Sequence, residues 1–257
     1  MEKITSAANP AVKRLKALSD AKGRKEQGAF LVEGEVMVRE ALASGLNPLE
    51  ALFEAETPLS GELAGHGALV RLCDRHILET VCDTSTPQGC CAAFTLPDGP
   101  AIPENASRLL ALDGVQDPGN LGTILRTADA AGFEGAYLSP LCADVYSPKV
   151  QRAAMGSGFR VPALRCLLEE TLTRLKAEGW QIAVSALDGL NLYENEKALS
   201  GDKLILVIGN EARGVSPGVQ KLSDIRIKIP MRGKAESLNA AVAAGILMYE
   251  LTKNFPC

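Results

Sequence analysis

Short apolar runs alternate with segments of helical spacing from residue 107 to the end of the chain, and this alternation limits the possible folds more than any other feature. The apolar runs are RLLALDGV, GAYLS, WQIAVSAL, KLILVIGNE and DIRIKIPM; the helical segments are LGTILRTADAAG, SPKVQRAAMGSG, LEETLTRLKAEG and SLNAAVAAGILMYELTKN. Strands that alternate with helices form a parallel sheet with helices on both faces. We therefore predict an α/β domain that binds its ligands beyond the carboxyl ends of the strands.

The first part of the chain predicts a second, smaller α/β domain. NPAVKRLKALSDAKGRKEQG is typical of a basic helix followed by a polar loop, AFLVEG and ALFEAE are typical of strands, and EVMVREALASG has helical spacing up to Gly45. Between the two parts, TLPDGPAIPENAS has the prolines of a linker. We place the domains at residues 1–97 and 107–257, and the linker at 98–106.

Composition excludes several classes of protein. The 257 residues are 46% hydrophobic and 23% charged, as expected for a soluble globular chain, and no apolar run suits a membrane span or a secretory signal. Seven cysteines without a C-x-x-C pair, together with two histidines, favour neither a disulfide framework nor a metal site, and they suit a cytoplasmic protein with reduced thiols. The net charge of −4 argues against a protein that coats nucleic acid, but it allows a local basic patch.

Three loops that follow predicted strands carry the candidate chemistry. They are DGVQDPGNLGTILR, VIGNEARGVSPG and IPMRGKAESLNAAVAAG. Their glycines let the backbone approach a ligand closely. Because such loops meet at one edge of a parallel sheet, we expect the three to form a single site.

Each loop also has a purely structural interpretation. Asn120 could cap the helix that follows it. Glu211, just past a buried strand, needs a partner and could form a simple ion pair with an arginine. Ser237 could be the N-cap of the last helix. Taken singly these alternatives stay open, whereas the three loops in this order favour a binding site.

In this order the loops resemble the motifs of the SpoU family, also called the TrmH family, of RNA ribose 2'-O-methyltransferases. The matching residues are Asn120-Leu121-Gly122 through Arg126, Gly209-Asn210-Glu211 with Gly214, and Ile229-Pro230-Met231 followed by Glu236-Ser237-Leu238-Asn239. Ala212 departs from the glycine often found at that position, which affects only the local loop conformation. ITSAANPAVKRLKAL and GAFLVEGEVMVREAL resemble the small substrate-binding domain of two-domain members.

The resemblance implies features that residue patterns alone do not show. These are a deep trefoil knot in the C-terminal domain, S-adenosyl-L-methionine as the cofactor in the knotted loops, and a homodimer whose interface completes the site. The small-residue run NAAVAAGI fits helix packing in such a dimer, although core packing explains it equally well. The resemblance assigns catalysis to Arg126, Asn120, Glu211, Ser237 and Asn239, and cofactor binding to Gly209, Asn210, Ile229, Met231 and Leu238.

Arg126 is the residue that the resemblance implies for activating the 2'-hydroxyl. Arginine does not readily give up its proton, so Arg126 could equally stabilise a developing alkoxide and bind the adjacent phosphate. Asn120 and Glu211 are expected to orient Arg126 and the substrate. Ser237 and Asn239 are expected to fix the third loop.

A basic patch near the N-terminus is the candidate RNA surface. It comprises Lys13, Arg14, Lys16, Lys22, Arg24 and Lys25, of which Arg14, Arg24 and Lys25 are the predicted RNA contacts. The alternative is an ordinary solvated helix surface.

The predicted function is methyl transfer from S-adenosylmethionine to a ribose 2'-hydroxyl of RNA. Ribosomal RNA is favoured because the additional N-terminal domain makes the chain similar to the ribosomal-RNA members. The alternatives are methylation of transfer RNA and a catalytically silent RNA-binding protein of the same fold. A dinucleotide-dependent enzyme is disfavoured, since no strand is followed by G-x-G-x-x-G.

Overall fold

The computed structural model describes residues 1–82, 84, 86–99, 101–194, 199 and 201–253. The chain divides into two compact units: Met1–Asp98 with Tyr146–Phe159, and Gly99–Val145 with Arg160–Cys257. The division after Asp98 falls at the start of the expected linker. Tyr146–Phe159 differs from the sequence-based boundaries, because it groups with the first unit and not with the rest of 107–257.

The first unit is built on a five-stranded mixed sheet. Its elements up to Thr95 are β1 (Lys3–Ile4), α1 (Pro10–Ala17), α2 (Ala21–Gln27), β2 (Ala29–Glu33), α3 (Glu35–Ala43), β3 (Pro48–Phe53), α4 (Pro58–Gly65), β4 (Leu69–Cys73), α5 (Arg75–Cys82) and β5 (Cys90–Thr95). The strand order is β1-β4-β3-β5-β2; β1, β4 and β3 run parallel, and β5 is antiparallel to both β3 and β2.

A second helix, α2, replaces the polar loop that the sequence analysis expects after α1. A Cβ atom at Gly23 would lie 2.0 Å from the carbonyl oxygen of Ala17, so glycine is what lets α2 approach the end of α1. The helix ends at Gly28, which has a φ of 60°. The sequence of α2 lacks the apolar spacing that would predict a helix, because Gly23 and Arg24 are its only buried residues.

Separate apolar cores lie on the two faces of this sheet. Leu52 packs with Leu15 of α1 and Ile77 of α5, whereas the next residue, Phe53, packs with Val38 of α3. Successive strand residues point to opposite faces, so neighbouring residues of β3 enter different cores.

The second unit contains a six-stranded sheet in which every strand pairing is parallel, as predicted. The elements after β5 are β6 (Arg108–Asp113), α6 (Pro118–Ala130), β7 (Ala136–Leu138), α7 (Pro148–Ala154), α8 (Ser157–Arg160), β8 (Ala163–Arg165), α9 (Leu168–Ala177), β9 (Gln181–Asn191), β10 (Leu204–Gly209), α10 (Pro217–Lys221), β11 (Ile225–Lys228) and α11 (Ala240–Thr252). The strand order is β11-β9-β10-β6-β7-β8. The short edge strand β8 has no counterpart in the sequence analysis.

Helices cover both faces of the parallel sheet. Leu172 of α9 packs with Ile205 and Val207 on one face. The alternate strand residues Leu206 and Ile208 are buried on the other, and α11 packs there against β10 and α6. A strand buried on both faces explains why β10 is continuously apolar.

Strand register brings the first two candidate loops together. Gly209, the last residue of β10, pairs with Asp113, the last residue of β6. The loops that follow therefore leave the sheet side by side. The backbone N–H of Ser216 in the second loop donates to Asp113 Oδ2 at 2.8 Å, which ties that loop to the start of the first.

The described part of the chain contains no helix that is both long and apolar enough to cross a membrane. Within the same residues, His, Cys, Asp and Glu side chains form no group of three that could hold a metal ion. The cysteines described there are free thiols. The trefoil knot stays a prediction.

Candidate functional site

The first loop is capped by Asp117 and not by Asn120. Asp117 Oδ1 accepts a hydrogen bond of 2.7 Å from the backbone N–H of Asn120, which closes the first turn of α6. The capping alternative for Asn120 is therefore wrong. Its side chain is available to bond to other loops.

The second loop is a tight turn from Asn210 to Gly214. The two residues exchange backbone hydrogen bonds of 3.0 and 2.9 Å, and Asn210 Oδ1 accepts from the backbone N–H groups of Ala212 and Arg213. A Cβ atom on Gly209 would lie 2.3 Å from the backbone of Gly214, so the turn needs glycine at the strand end. Among the described residues, Met155 is the one non-glycine residue with positive φ, so Ala212 fits its place without that strain.

The third loop ends at Asn239, which is the N-cap of α11. Its Oδ1 atom accepts from the backbone N–H groups of Ala241 at 2.9 Å and Val242 at 3.3 Å. The alternative in which Ser237 caps this helix is therefore wrong. Ser237 is exposed two residues before the cap.

A chain of side-chain hydrogen bonds joins all three loops. Asn239 Nδ2 donates to Asn120 Oδ1 at 2.9 Å, and Asn120 Nδ2 donates to Glu211 Oε1 at 2.8 Å. Asn210 Nδ2 also bonds to the carbonyl of Gly114 at 2.8 Å. The expected meeting of the three segments is thus present. Glu211 is held by amides, and within the described chain it forms no ion pair with an arginine.

Arg126 lies apart from this chain of bonds. Its side chain is exposed on α6, and it forms no hydrogen bond or ion pair with any described residue. Asn120 and Glu211, which were expected to orient Arg126, bond to each other instead. The guanidinium group is therefore free to contact a bound molecule.

A cavity of about 480 Å³ opens beside the second and third loops. Its lining includes all five residues that the resemblance assigns to the cofactor, Gly209, Asn210, Ile229, Met231 and Leu238, and also Glu211 and Ser237. Asn120, Arg126 and Asn239 do not line it. The volume falls within the roughly 300–1,000 Å³ that is usual for small-molecule sites.

One wall of this cavity consists of residues that were not predicted from the sequence. Ser185–Asp188, in the second half of β9, and Arg226 and Lys228 of β11 also line it. Gly189 allows β9 and β11 to approach, because a Cβ atom there would lie 2.6 Å from the carbonyl carbon of Arg226. The sequence feature that could have indicated this wall is Asp188-Gly189, which follows Leu187 at the end of the predicted strand WQIAVSAL.

The three predicted RNA contacts differ in their exposure. Arg24 is only 4% exposed, and its Nη1 atom donates at 2.8 Å to the carbonyl oxygens of Leu18 and Ser19. It links α1 to α2 and is not part of a basic surface, contrary to the expectation. Arg14 and Lys25 remain exposed, and Arg14 is paired with Glu50.

Two regions of the chain match known protein families. Residues 107–249 match the SpoU rRNA Methylase family, and residues 9–92 match the MRM3-like substrate binding domain. A Bacillus subtilis protein named 23S rRNA (guanosine(2553)-2'-O)-methyltransferase RlmP is 38% identical over 98% of this chain and 99% of its own length. The AdoMet-bound rRNA methyltransferase from Sinorhizobium meliloti superposes with a TM-score of 0.91 at 31% identity, covering 100% of this chain and 99% of the other.

Proposed function

Because this chain belongs to the SpoU rRNA methylase family, we propose that it transfers a methyl group from S-adenosylmethionine to a ribose 2'-hydroxyl of ribosomal RNA. The observation that carries the proposal is the hydrogen-bonded chain Asn239–Asn120–Glu211, which draws three loops together beside the cavity. A catalytically silent relative is expected to have lost motif residues, whereas Asn120, Arg126, Glu211, Ser237 and Asn239 are all present.

The residues around the cavity fit the cofactor. Gly209 lets the second loop fold closely against the strand end, because a Cβ atom there would meet the backbone of Gly214, and the cavity lining mixes apolar Ile229, Met231 and Leu238 with the polar side chain of Asn210. Apolar walls with a few polar groups are usual for a nucleoside-containing ligand. When bound, the cofactor supplies a methyl group that the positive charge on sulfur has already activated.

Arg126 is assigned to the ribose hydroxyl. Its exposed guanidinium has no partner in the described chain, so it can donate to an oxygen that gains negative charge and to the neighbouring phosphate. Asn120, Glu211 and Asn239 hold the loops in register, and Ser237 offers a hydroxyl at the cavity. Alignment of reacting groups contributes a large share of such rate enhancements.

A homodimer completes the proposal. Arg126 lies on α6 and does not line the cavity, so a second copy of the chain is a direct way to bring this group to it. On the adjacent helix α11, Val242 and Tyr249 are 52% and 55% exposed, which suits an interface. Mixing two impaired variants, Arg126→Ala and Gly209→Ala, at a cofactor concentration too low to saturate Gly209→Ala, should then restore part of the activity. No restoration in a mixture shown to form mixed dimers would place each site within one copy.

The RNA target follows from the relatives. We assign the reaction to 23S rRNA, and the guanosine for which the Bacillus subtilis relative is named is the first position to map. The experiment incubates the protein and labelled S-adenosylmethionine with unmodified 23S rRNA and, separately, with unmodified transfer RNA. Label in a 2'-O-methylated nucleotide of 23S rRNA is expected. Label in transfer RNA alone would show that transfer RNA, and not 23S rRNA, is the substrate. No label in either RNA would contradict the assignment of a methyltransferase activity.

A further inference from the structure

Glu50, on β3 of the first unit, is a carboxylate enclosed by two arginines. Its side chain is 10% exposed. It accepts hydrogen bonds from Arg14 Nη2, at 3.1 Å to each oxygen, and from Arg71 Nη1. Arg14 lies on α1 and Arg71 on β4, whose Leu69 pairs with Glu50 in the ladder. One buried carboxylate thus fixes guanidinium groups from two different elements.

Both guanidinium groups keep donors that no described residue uses. Arg14 offers Nε and Nη1 from a side chain that is 50% exposed, and Arg71 offers Nη2. Arg71 Nε bonds to Glu2 at 3.0 Å, but Glu2 is 67% exposed, and such an ion pair contributes little in water. Exposed Lys13 precedes Arg14 on α1 and has no partner among the described residues, so it adds an uncompensated positive charge to that helix.

We propose that Glu50 positions Arg14 and Arg71 as a fixed pair that binds a phosphate of the substrate RNA, an inference that rests on the proposed function. Guanidinium groups bind phosphate through paired N–H donors in a set geometry. When two long side chains are already ordered by a buried carboxylate, less conformational freedom is lost on binding. All three residues lie within the stretch that matches a substrate-binding domain.

The opposite face of the same sheet supplies a matched control. There Arg39 of α3 lies between two carboxylates, bonding to Glu35 at 2.7 Å and to Glu62 at 3.2 Å. This group carries net negative charge, whereas in the Glu50 group two arginines balance buried Glu50 and exposed Glu2. Both are ion-paired clusters of one domain, but only the Glu50 group offers guanidinium donors toward an anion.

Glu50→Gln gives the decisive experiment, because positioning and bulk electrostatics predict opposite signs. Removing a negative charge near RNA should tighten binding if only net charge matters. If Glu50 positions the two arginines, Glu50→Gln weakens binding of an unmodified 23S rRNA transcript about three- to tenfold. Glu62→Gln removes the same charge on the opposite face and should leave affinity unchanged or slightly higher. Equal or tighter binding by Glu50→Gln, measured at a temperature at which circular dichroism shows the variant to be folded, would overturn the proposal.

Arg71→Lys separates geometry from charge. Lysine keeps the charge but loses the guanidinium fork, so RNA affinity should fall with little change in the dependence on salt. Arg71→Gln should also make the negative slope of log affinity against log salt shallower by about 0.7–0.9, the value expected for one lost phosphate contact. Arg39→Gln should do neither. The loss should fall on KM for RNA; a loss confined to kcat would contradict a role in binding.

Failure of this inference is distinguishable from failure of the proposed function. If the unaltered protein methylates 23S rRNA and all of these variants bind it equally, only the phosphate site is wrong. If the unaltered protein binds the transcript but methylates no RNA, the proposed function is wrong. The RNA affinities of the variants still test the phosphate site in that case.

Discussion

The two units of this protein hold their functional side chains in different ways. In the second unit, Asn120, Glu211 and Asn239 come from loops at one edge of a parallel sheet and are joined mainly by amide hydrogen bonds. In the first unit, Arg14 and Arg71 belong to a helix and a strand and are fixed by a buried charge. Loops follow the edge of the sheet, whereas the charged cluster depends on how helix and sheet pack.

This difference determines what each region tolerates. A loop site joined by amide hydrogen bonds depends on close backbone approach and on the direction of each amide. A charged cluster depends on every buried charge keeping its partner. Substitutions that preserve shape but remove one donor should therefore affect the first kind of site, and substitutions that remove one charge should affect the second.

The largest effect is expected at Arg126. Arg126→Ala should lower kcat at least about 100-fold, because removal of a donor to a developing oxyanion costs about that much or more. Binding of S-adenosylmethionine, measured by calorimetry, should be unchanged, since the proposal assigns Arg126 to the ribose hydroxyl of the RNA and not to the cofactor. Arg174→Ala, which removes an exposed arginine paired with Glu178 on α9, is the control. If Arg126→Ala turns over as fast as the unaltered protein, Arg126 is not a catalytic residue.

Gly209→Ala should show the next largest effect. The added Cβ atom would lie 2.3 Å from the backbone of Gly214 and Val215, so the second loop must shift. We expect affinity for S-adenosylmethionine to fall at least about tenfold, equivalent to about 1.4 kcal/mol. Gly61→Ala is the matched control, because a Cβ atom there meets nothing within 4 Å. Equal cofactor affinity in both variants would show that the close approach is unrelated to binding.

Asn239→Asp tests the hydrogen-bonded chain with a smaller change. Aspartate keeps the oxygen that caps α11 but loses the N–H group that bonds to Asn120. We expect kcat/KM to fall about threefold to tenfold, with little change in thermal unfolding, since the cap survives. Asn9→Asp is the counterpart in the first unit: Asn9 caps α1 through a 2.8 Å bond to Ala11 and is not part of the loop chain. Equal activity losses in both variants would contradict a specific role for the Asn239 donor.

The sequence predicted the second unit better than the first. Alternating apolar runs were enough for the parallel sheet, and strand polarity was enough to expect the three loops at one edge. The function of single residues within those loops was less predictable. Asp117 caps α6 in place of Asn120, and Asn239 caps α11 in place of Ser237. All of these residue types are good caps, so composition could not choose between them.

Burial of charge was the feature that the sequence could not show. Arg24 and Arg14 lie ten positions apart in one basic segment, yet Arg24 is buried against two carbonyl oxygens and Arg14 remains half exposed. The difference arises because Gly23 brings α2 against the end of α1. Likewise, Glu50 and Arg71 come together only because β3 aligns with β4. Contacts between distant segments decide such roles.

The smallest expected effect concerns a second carboxylate in the first unit, Glu33. Burial raises the pKa of Glu33, while Thr84 and Arg152, the latter at 3.8 Å, oppose that rise only in part. A raised pKa in the folded state means that this group favours folding below its unfolded pKa of about 4.3, and that the benefit is lost as pH rises through the folded value. Because glutamine does not ionise, Glu33→Gln should not lose stability in this way as the pH rises.

We therefore expect Glu33→Gln to gain stability relative to the unaltered protein as pH rises from about 4 to 7, by less than about 1 kcal/mol in the free energy of unfolding. Denaturant unfolding at the two pH values measures the change, and the acidic value is the internal control. Glu50→Gln should lose stability at pH 7, because it leaves two arginines facing each other without their buried partner. If both variants change stability in the same direction at pH 7, the distinction between a carboxylate fixed by two arginines and one that is mainly desolvated does not hold.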